Sequence, residues 1–162
     1  MGCVVALVGC DHATKLAAES SLRDRAPLAL VPGVLDLEYT ENHGVAFSAL
    51  DRMAIHPAAW LLVAFALVAT AGLMLLWLRR SRVASPAEHV GFALVIAGAL
   101  GNALDRLARG HVVDFVHVRF WPVFNVADVL VVAGVALLVF ARRRRQSVPG
   151  SGVDGGTGSL QG

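Results

Sequence analysis

Long apolar runs, each bordered by charged residues, dominate the chain. Residues 57–78 contain no charged side chain and are followed directly by Arg79 and Arg80. A second run covers residues 87–108, and a third covers residues 123–141 and is followed by four consecutive arginines. A helix needs about 20 apolar residues to cross the hydrocarbon core of a bilayer. The pattern therefore predicts three membrane-spanning helices.

The N-terminal segment is a weaker candidate for a span. Residues 2–10 are apolar, but Asp11, His12, Lys15 and Glu19 then interrupt the run. Ten residues of helix rise only about 15 Å, so a full crossing would place Asp11 near the middle of the bilayer. We count this segment as a further span, the first of four in chain order, because the distribution of charge along the chain fits four crossings.

Basic residues lie at one end of the predicted spans. Arg79, Arg80 and Arg82 follow the second span, and Arg142–Arg145 follow the fourth. The segment 18–56 instead contains six acidic residues against three arginines. Short cytoplasmic loops of membrane proteins are enriched in arginine and lysine. The asymmetry predicts that both termini lie in the cytoplasm.

Composition agrees with a membrane protein and excludes other classes. Of 162 residues, 56% are hydrophobic and 16% are charged, whereas soluble domains are nearer a quarter charged. The net charge of +2 is too small for the basic face of a nucleic-acid-binding domain, and two cysteines cannot form a disulfide framework. We expect an all-α membrane domain over residues 1–146 and a disordered, Gly/Ser-rich cytoplasmic tail over residues 147–162.

One loop is predicted to contain regular structure. Residues 35–40 alternate apolar and polar side chains, as a half-exposed strand does. Asn42, His43 and Gly44 follow as a turn signal.

Charged residues in or beside the spans collect toward the predicted outer side. A charge at the centre of a membrane helix costs about 2.5–3.5 kcal/mol, so such residues are candidates for function. Asp11 and Lys15 are four residues apart and are interpreted as a local ion pair on one helix face. Asp105 is interpreted as a structural carboxylate, because Arg106 follows it and Arg109 lies four residues later.

Asp114 and Asp128 differ, because neither has a lysine or arginine within four positions. Two unpaired carboxylates near a low-dielectric boundary would shift each other's titration, so that one is protonated and the other ionised. Such a pair can activate a water and protonate a leaving amine. The alternative is two aspartates that cap helices, and the residues alone leave both interpretations open.

A metal site has little support in the sequence. His111, Asp114 and His117 are spaced three apart, but in an extended segment the two imidazoles would face away from Asp114. The His-Glu-x-x-His motif of zinc peptidases does not occur. We therefore expect no metal ligands among these residues.

Five motifs, in order over about residues 5–141, resemble those of the lipoprotein signal peptidase family, also called signal peptidase II. They are Asp11-His12-Ala13-Thr14-Lys15, Asn42-His43-Gly44-Val45-Ala46-Phe47, Gly98-Ala99-Leu100-Gly101-Asn102-Ala103-Leu104-Asp105-Arg106, Val112-Val113-Asp114-Phe115 and Phe124-Asn125-Val126-Ala127-Asp128. The resemblance implies an aspartic endopeptidase of the bacterial inner membrane that needs no cofactor. It also implies an extracytoplasmic β-cradle, to which residues 35–40 would contribute.

The resemblance also assigns roles to individual residues. It implies Asp114 and Asp128 as the catalytic pair and three structural polar residues, Asp11, Lys15 and Asp105. Five further residues would support the site and hold the substrate: Asn42, Gly44, Asn102, Arg106 and Asn125. The implied partners are a lipidated prolipoprotein, cut before its lipidated cysteine, and membrane lipid, and we expect a monomer. The alternative is a small membrane transporter or ion- or proton-binding helix bundle, whose carboxylates would relay protons or cations.

Overall fold

The computed structural model describes residues 2–43 and 58–146. Gly44 and the tail at 147–162 therefore lie outside the described residues. Four helices and three strands occur in the part described. In chain order they are α1 (Gly2–Leu22), β1 (Leu28–Val31), β2 (Leu35–Asn42), α2 (Ala58–Arg80), α3 (Pro86–Arg109), β3 (Val112–Val118) and α4 (Val126–Gln146).

The helices follow the apolar runs, with differences at their ends. The bounds of α2 and α3 agree with the predicted runs within two residues. Helix α4 begins three residues later than predicted and continues through the arginines to Gln146. Helix α1 runs past Asp11 and Lys15 without a break. Charged residues do not end α1, because these two side chains are paired inside the protein.

Two of the described helices meet the length and composition of a membrane span. They are α3 and the Val63–Arg80 part of α2. Large apolar side chains such as Phe65 on α2 and Val132 on α4 are exposed. Extended apolar surface of this kind is typical of contact with lipid or another protein. The spans predicted in α1 and α4 remain predictions.

Helix α3 lies at the centre of the bundle and contacts the other three helices. Val4 of α1 packs with Ala93, Ile96 and Ala97 of α3 to form the buried core. A Cβ atom added at Gly98 would overlap the carbonyl oxygen of Ala127 on α4. The small residues of α3 therefore allow close helix packing.

The junction between α3 and β3 is a left-handed turn at Gly110. This glycine has φ 79°, and its N–H donates to the carbonyl oxygen of Arg106 at 3.1 Å. Residues with a side chain rarely adopt such a φ. The glycine ends α3 and directs the chain at once into β3, so Asn102 and Asp114 lie close together.

The three strands form one antiparallel sheet in the order β1-β2-β3. Strand β2 confirms the strand predicted from alternation, whereas β1 was not predicted because its four residues do not alternate. In the register of β2 and β3, Asn42 is opposite Val112 and Thr40 is opposite Asp114.

After β3 the chain turns back on itself. Val116 and Phe124 exchange backbone hydrogen bonds of 2.9 and 3.0 Å. This return places Asn125, the residue before α4, beside the strand that carries Asp114.

Candidate active site

Polar residues from four elements meet where the sheet adjoins the ends of the helices. Asn42 comes from the end of β2, Asp114 from β3 and Asn102 from α3. Asn125 and Asp128 come from the start of α4. The structure thus brings both predicted catalytic aspartates and three predicted supporting residues together.

The Asp114 carboxyl group is buried, and both its oxygens accept a hydrogen bond. Asn42 Nδ2 donates to Oδ2 at 2.8 Å, and Asn125 Nδ2 donates to Oδ1 at 2.6 Å. Burial is the main reason that the pKa of Asp114 lies above the ordinary value of 3.8. The hydrogen bonds from the two asparagines lower this pKa, and the nearby Asp128 raises it further. Asp114 therefore holds its proton more tightly than an exposed aspartate does.

Asp128 belongs to a reciprocal cap at the start of α4. Its backbone N–H donates to Asn125 Oδ1 at 3.1 Å, and its Oδ2 accepts from the backbone N–H of Asn125 at 3.2 Å. This is the arrangement of a capping box, and a negative charge is favourable in the first turn of a helix. Asn102 Nδ2 donates to the other oxygen, Oδ1, at 2.8 Å. Capping, the alternative left open by the sequence, is thus present at Asp128, whereas Asp114 lies on a strand.

Asn125 connects the two carboxylates. Its side-chain amide donates to Asp114, while its backbone N–H donates to Asp128. The same side-chain amide also donates to Asn102 Oδ1 at 3.1 Å. Asn125 is fully buried, so neighbouring groups hold these contacts in place.

A buried ion cluster lies behind Asn102. Lys15 Nζ is 2.8 Å from Asp11 Oδ2 and 2.8 Å from Asp105 Oδ2, and all three side chains are at most 1% exposed. Lys15 Nζ also donates to Asn102 Oδ1 at 3.0 Å. Asp11 Oδ1 in turn accepts from the backbone N–H of Ala127 at 2.9 Å. The cluster therefore supports both Asn102 and the first turn of α4.

The predicted pair of Asp11 and Lys15 is confirmed, and Asp105 has a closer cation than either arginine near it in sequence. The nearest cation to Asp105 is Lys15, whereas Arg109 Nε is 4.0 Å away. Arg106 instead donates through Nη1 to the backbone oxygen of Asn102 at 3.3 Å. A cation on another helix thus lies closer to Asp105 than Arg109, which is still at salt-bridge distance, because α1 and α3 pack together.

One group of His, Cys, Asp and Glu side chains in the described ranges has the spacing needed to hold a metal ion. It consists of Glu41, His43 and His111 and includes neither Asp114 nor Asp128. The set His111, Asp114 and His117, considered from spacing, does not form a site. Asp114 and His117 lie three residues apart on β3, so their side chains face opposite sides of the strand.

An apolar groove runs along α4 from the site. Its volume is about 340 Å³. The lining consists of Asp128 and six apolar residues: Trp121, Phe124, Val129, Val132, Ala133 and Ala136. One of the two site carboxylates thus lies beside a surface suited to an apolar chain.

Comparison with known proteins assigns the chain to a family. The family model described as Signal peptidase (SPase) II matches residues 3–143. The chain belongs to the signal peptidase II family. The match includes all the described residues of the candidate site.

Named relatives and solved structures agree with this family assignment. The lipoprotein signal peptidase of Pseudoalteromonas translucida is 40% identical over 134 residues, which cover 80% of this chain and 79% of the relative. That of Symbiobacterium thermophilum is 38% identical over 140 residues, covering 83% and 87%. A bacterial membrane enzyme solved by the in meso method at 1.9 Å resolution shares the fold. Its TM-score is 0.74 at 24% identity, with 86% of this chain and 89% of that chain covered.

The sequence analysis places Asn125 among the supporting residues but does not predict that it bonds to both aspartates. A signal was available, because Asn125 and Asp128 are three residues apart at the start of an apolar run, the spacing of a capping box. The contact of the Asn125 side chain with Asp114 had no local signal. It depends on the return of the chain between Val116 and Phe124.

Proposed function

We propose that the chain is an aspartic endopeptidase that removes the signal peptide from diacylglyceryl-modified prolipoproteins. It cuts before the lipidated cysteine, with Asp114 and Asp128 as the catalytic pair. Membership of the signal peptidase II family supports the activity. The observation that carries the assignment of the pair is the double donation by Asn125, which holds both carboxylates at one site.

The surroundings of the two aspartates differ. Burial raises the pKa of Asp114, which suits this group to carry a proton, while Asp128 accepts a backbone N–H in the first turn of a helix, where a negative charge is favourable. In the proposed reaction, the oxygen of a water molecule attacks the scissile carbonyl while Asp128 accepts a proton from that water. Asp114 then donates its proton to the nitrogen of the leaving peptide as the C–N bond breaks.

The remaining site residues position these groups and the substrate. Asn102 donates to Asp128, and Asn42 donates to Asp114. As the resemblance implies, the substrate backbone is held by Arg106, Gly44 and three asparagines: Asn42, Asn102 and Asn125. Asp11, Lys15 and Asp105 fix Asn102 from behind.

The groove along α4 is the proposed site for the apolar part of the substrate. It is lined by apolar residues and borders Asp128. Trp121, at its end near the site, and the neighbouring Phe120 are both exposed. Aromatic side chains concentrate at membrane interfaces, which supports a scissile bond near the membrane surface.

The proposed topology has four spans, with both termini in the cytoplasm and the site and β-cradle at the outer face of the inner membrane. The arginines that end α2 and α4 support this orientation. The charges of α1 that would oppose insertion are paired inside the bundle, which reduces their cost in a membrane. Residues 1–146 form the membrane domain of a monomer, and residues 147–162 form a cytoplasmic tail.

The test is cleavage of a diacylglyceryl-modified prolipoprotein by the purified protein and its variants. Asp114→Asn and Asp128→Asn should each lower the rate by at least about 100-fold, because each removes a group that transfers a proton. Asp36→Asn, on β2 opposite His117, is the matched control and should cleave at the original rate. Circular dichroism verifies that the variants fold. An original rate in either site variant would refute the assignment of the pair.

A further inference from the structure

A second polar cluster lies on the opposite side of the strands from Asp114. Glu41 and His43 are two residues apart at the end of β2, and the side chain of Asn42 between them bonds to Asp114. Alternate residues of an extended chain face opposite sides. Glu41 pairs in register with Val113 of β3, and His111 lies two residues before Val113. The other face of the strands, opposite to that of Asn42, therefore carries the side chains of Glu41, His43 and His111.

The ligand atoms of this cluster are close together. His43 Nε2 is 3.8 Å from Glu41 Oε2, and His111 Nε2 is 3.8 Å from Glu41 Oε1. The three potential ligand atoms all lie within 4.8 Å of one another. Bond lengths of about 2.0–2.2 Å to zinc place the ligands of a tetrahedral site about 3.3–3.6 Å apart. Side-chain movements of about 1 Å would therefore bring the three groups to coordination distance.

Neighbouring side chains hold the Glu41 carboxylate in place. Tyr39 OH donates to Glu41 Oε1 at 3.0 Å, and Arg23 Nη2 donates to the same oxygen at 3.3 Å. Such outer contacts orient the ligands of metal sites. The positive charge of Arg23 is offset by Glu19, 2.8 Å away. The His43 side chain is 55% exposed, so a cation can reach the cluster from solvent.

We propose that Glu41, His43 and His111 form a binding site for a divalent transition-metal ion, of which Zn²⁺ is the example to test. Two imidazoles and one carboxylate match the ligands that Zn²⁺ accepts, with one position left for water. Mg²⁺ and Ca²⁺ prefer oxygen ligands and suit the cluster less well. The site is distinct from Asp114 and Asp128 and does not depend on the proposed peptidase reaction. A bound ion would link the end of β2 to the start of β3.

Zn²⁺ titration calorimetry tests the proposal on the full chain in detergent, with any affinity tag removed. The original protein should bind one Zn²⁺ at this site. His43→Gln and His111→Gln should weaken binding at least about tenfold, since even outer contacts of metal sites change affinity by that factor. His117→Gln is the matched control. It alters another β3 histidine, which lies 3.5 Å from Glu38 and outside the cluster, and should bind as the original protein does.

Thermal unfolding gives a second measurement that separates loss of binding from loss of folding. Without Zn²⁺ the variants should melt near the original temperature, and Zn²⁺ should raise the melting temperature only of the original protein and His117→Gln. Mg²⁺ should raise none of them. Unchanged Zn²⁺ affinity in either cluster variant would overturn the proposal, as would an equal response to Mg²⁺ or no binding by the original protein.

Discussion

Replacing Lys15 with methionine is expected to lower the free energy of unfolding by about 3–5 kcal/mol. Lys15 is fully buried, with Asp11 and Asp105 each 2.8 Å from its ammonium group. Methionine fills a similar volume but leaves both carboxylates without this cation. The cost arises because a buried charge without a partner has lost its hydration and gains nothing in return.

The chain contains a matched pair that isolates the effect of burial. Glu19 lies on the last turn of α1 and Arg23 directly follows that helix, with the same spacing of four residues, and their charged atoms are also 2.8 Å apart. Their side chains are 50% and 28% exposed. Exposed pairs contribute about 0–1 kcal/mol, so Arg23→Met should cost no more than that.

Unfolding in detergent micelles by a denaturant, followed by circular dichroism, measures both variants. A double variant, Lys15→Met with Asp105→Asn, removes one of the two uncompensated carboxylates and should regain part of the lost stability. Equal losses of unfolding free energy for Lys15→Met and Arg23→Met would refute the reasoning. Burial would then have no effect on the cost of losing a charge pair of this distance and spacing.

Two further predictions concern helix packing and pH. Gly98→Ala should cost about 1–3 kcal/mol, because the added methyl group would overlap the Ala127 carbonyl oxygen. Gly72→Ala on α2 has nothing within 4 Å of the new atom and should gain about 0.5–1 kcal/mol; equal unfolding midpoints for the two variants would contradict this account. Cleavage should fall as pH rises through the raised pKa of Asp114, because the proton donor is lost. Asn42→Ala removes a hydrogen bond that lowers this pKa. The alkaline limb of kcat/KM should therefore move to higher pH, and an unmoved limb would count against Asp114 as the acid.

The helices could be predicted from the chain because their signal is local. The length of an apolar run between charged residues predicts the length of the helix. The observed bounds of α2 and α3 therefore agree closely with the predicted ones. The start of α4 was placed too early because Val123 and Phe124 are apolar, although Phe124 pairs with Val116 of β3. Hydropathy does not distinguish an apolar residue in a helix from one in a bridge.

The arrangement of the site depends on contacts between distant parts of the chain. Asn42 and Asp114 meet through the register of β2 and β3, over 72 residues of sequence. Lys15 reaches Asn102 across 87 residues. The unpaired character of Asp114 and Asp128 could be inferred locally, because it needs only the absence of nearby cations in sequence. Their connection through Asn125 required the fold.

The reciprocal cap at the start of α4 has a consequence for inhibition. Asn125 and Asp128 satisfy each other's backbone N–H groups and also form part of the proposed catalytic site. A compound that hydrogen-bonds to Asp128, which borders the groove, would contact a group that cannot be exchanged without loosening the first turn of α4. Loss of such a cap costs about 0.5–2 kcal/mol. A substitution of Asp128 that prevents such binding would therefore weaken the helix start and the enzyme as well.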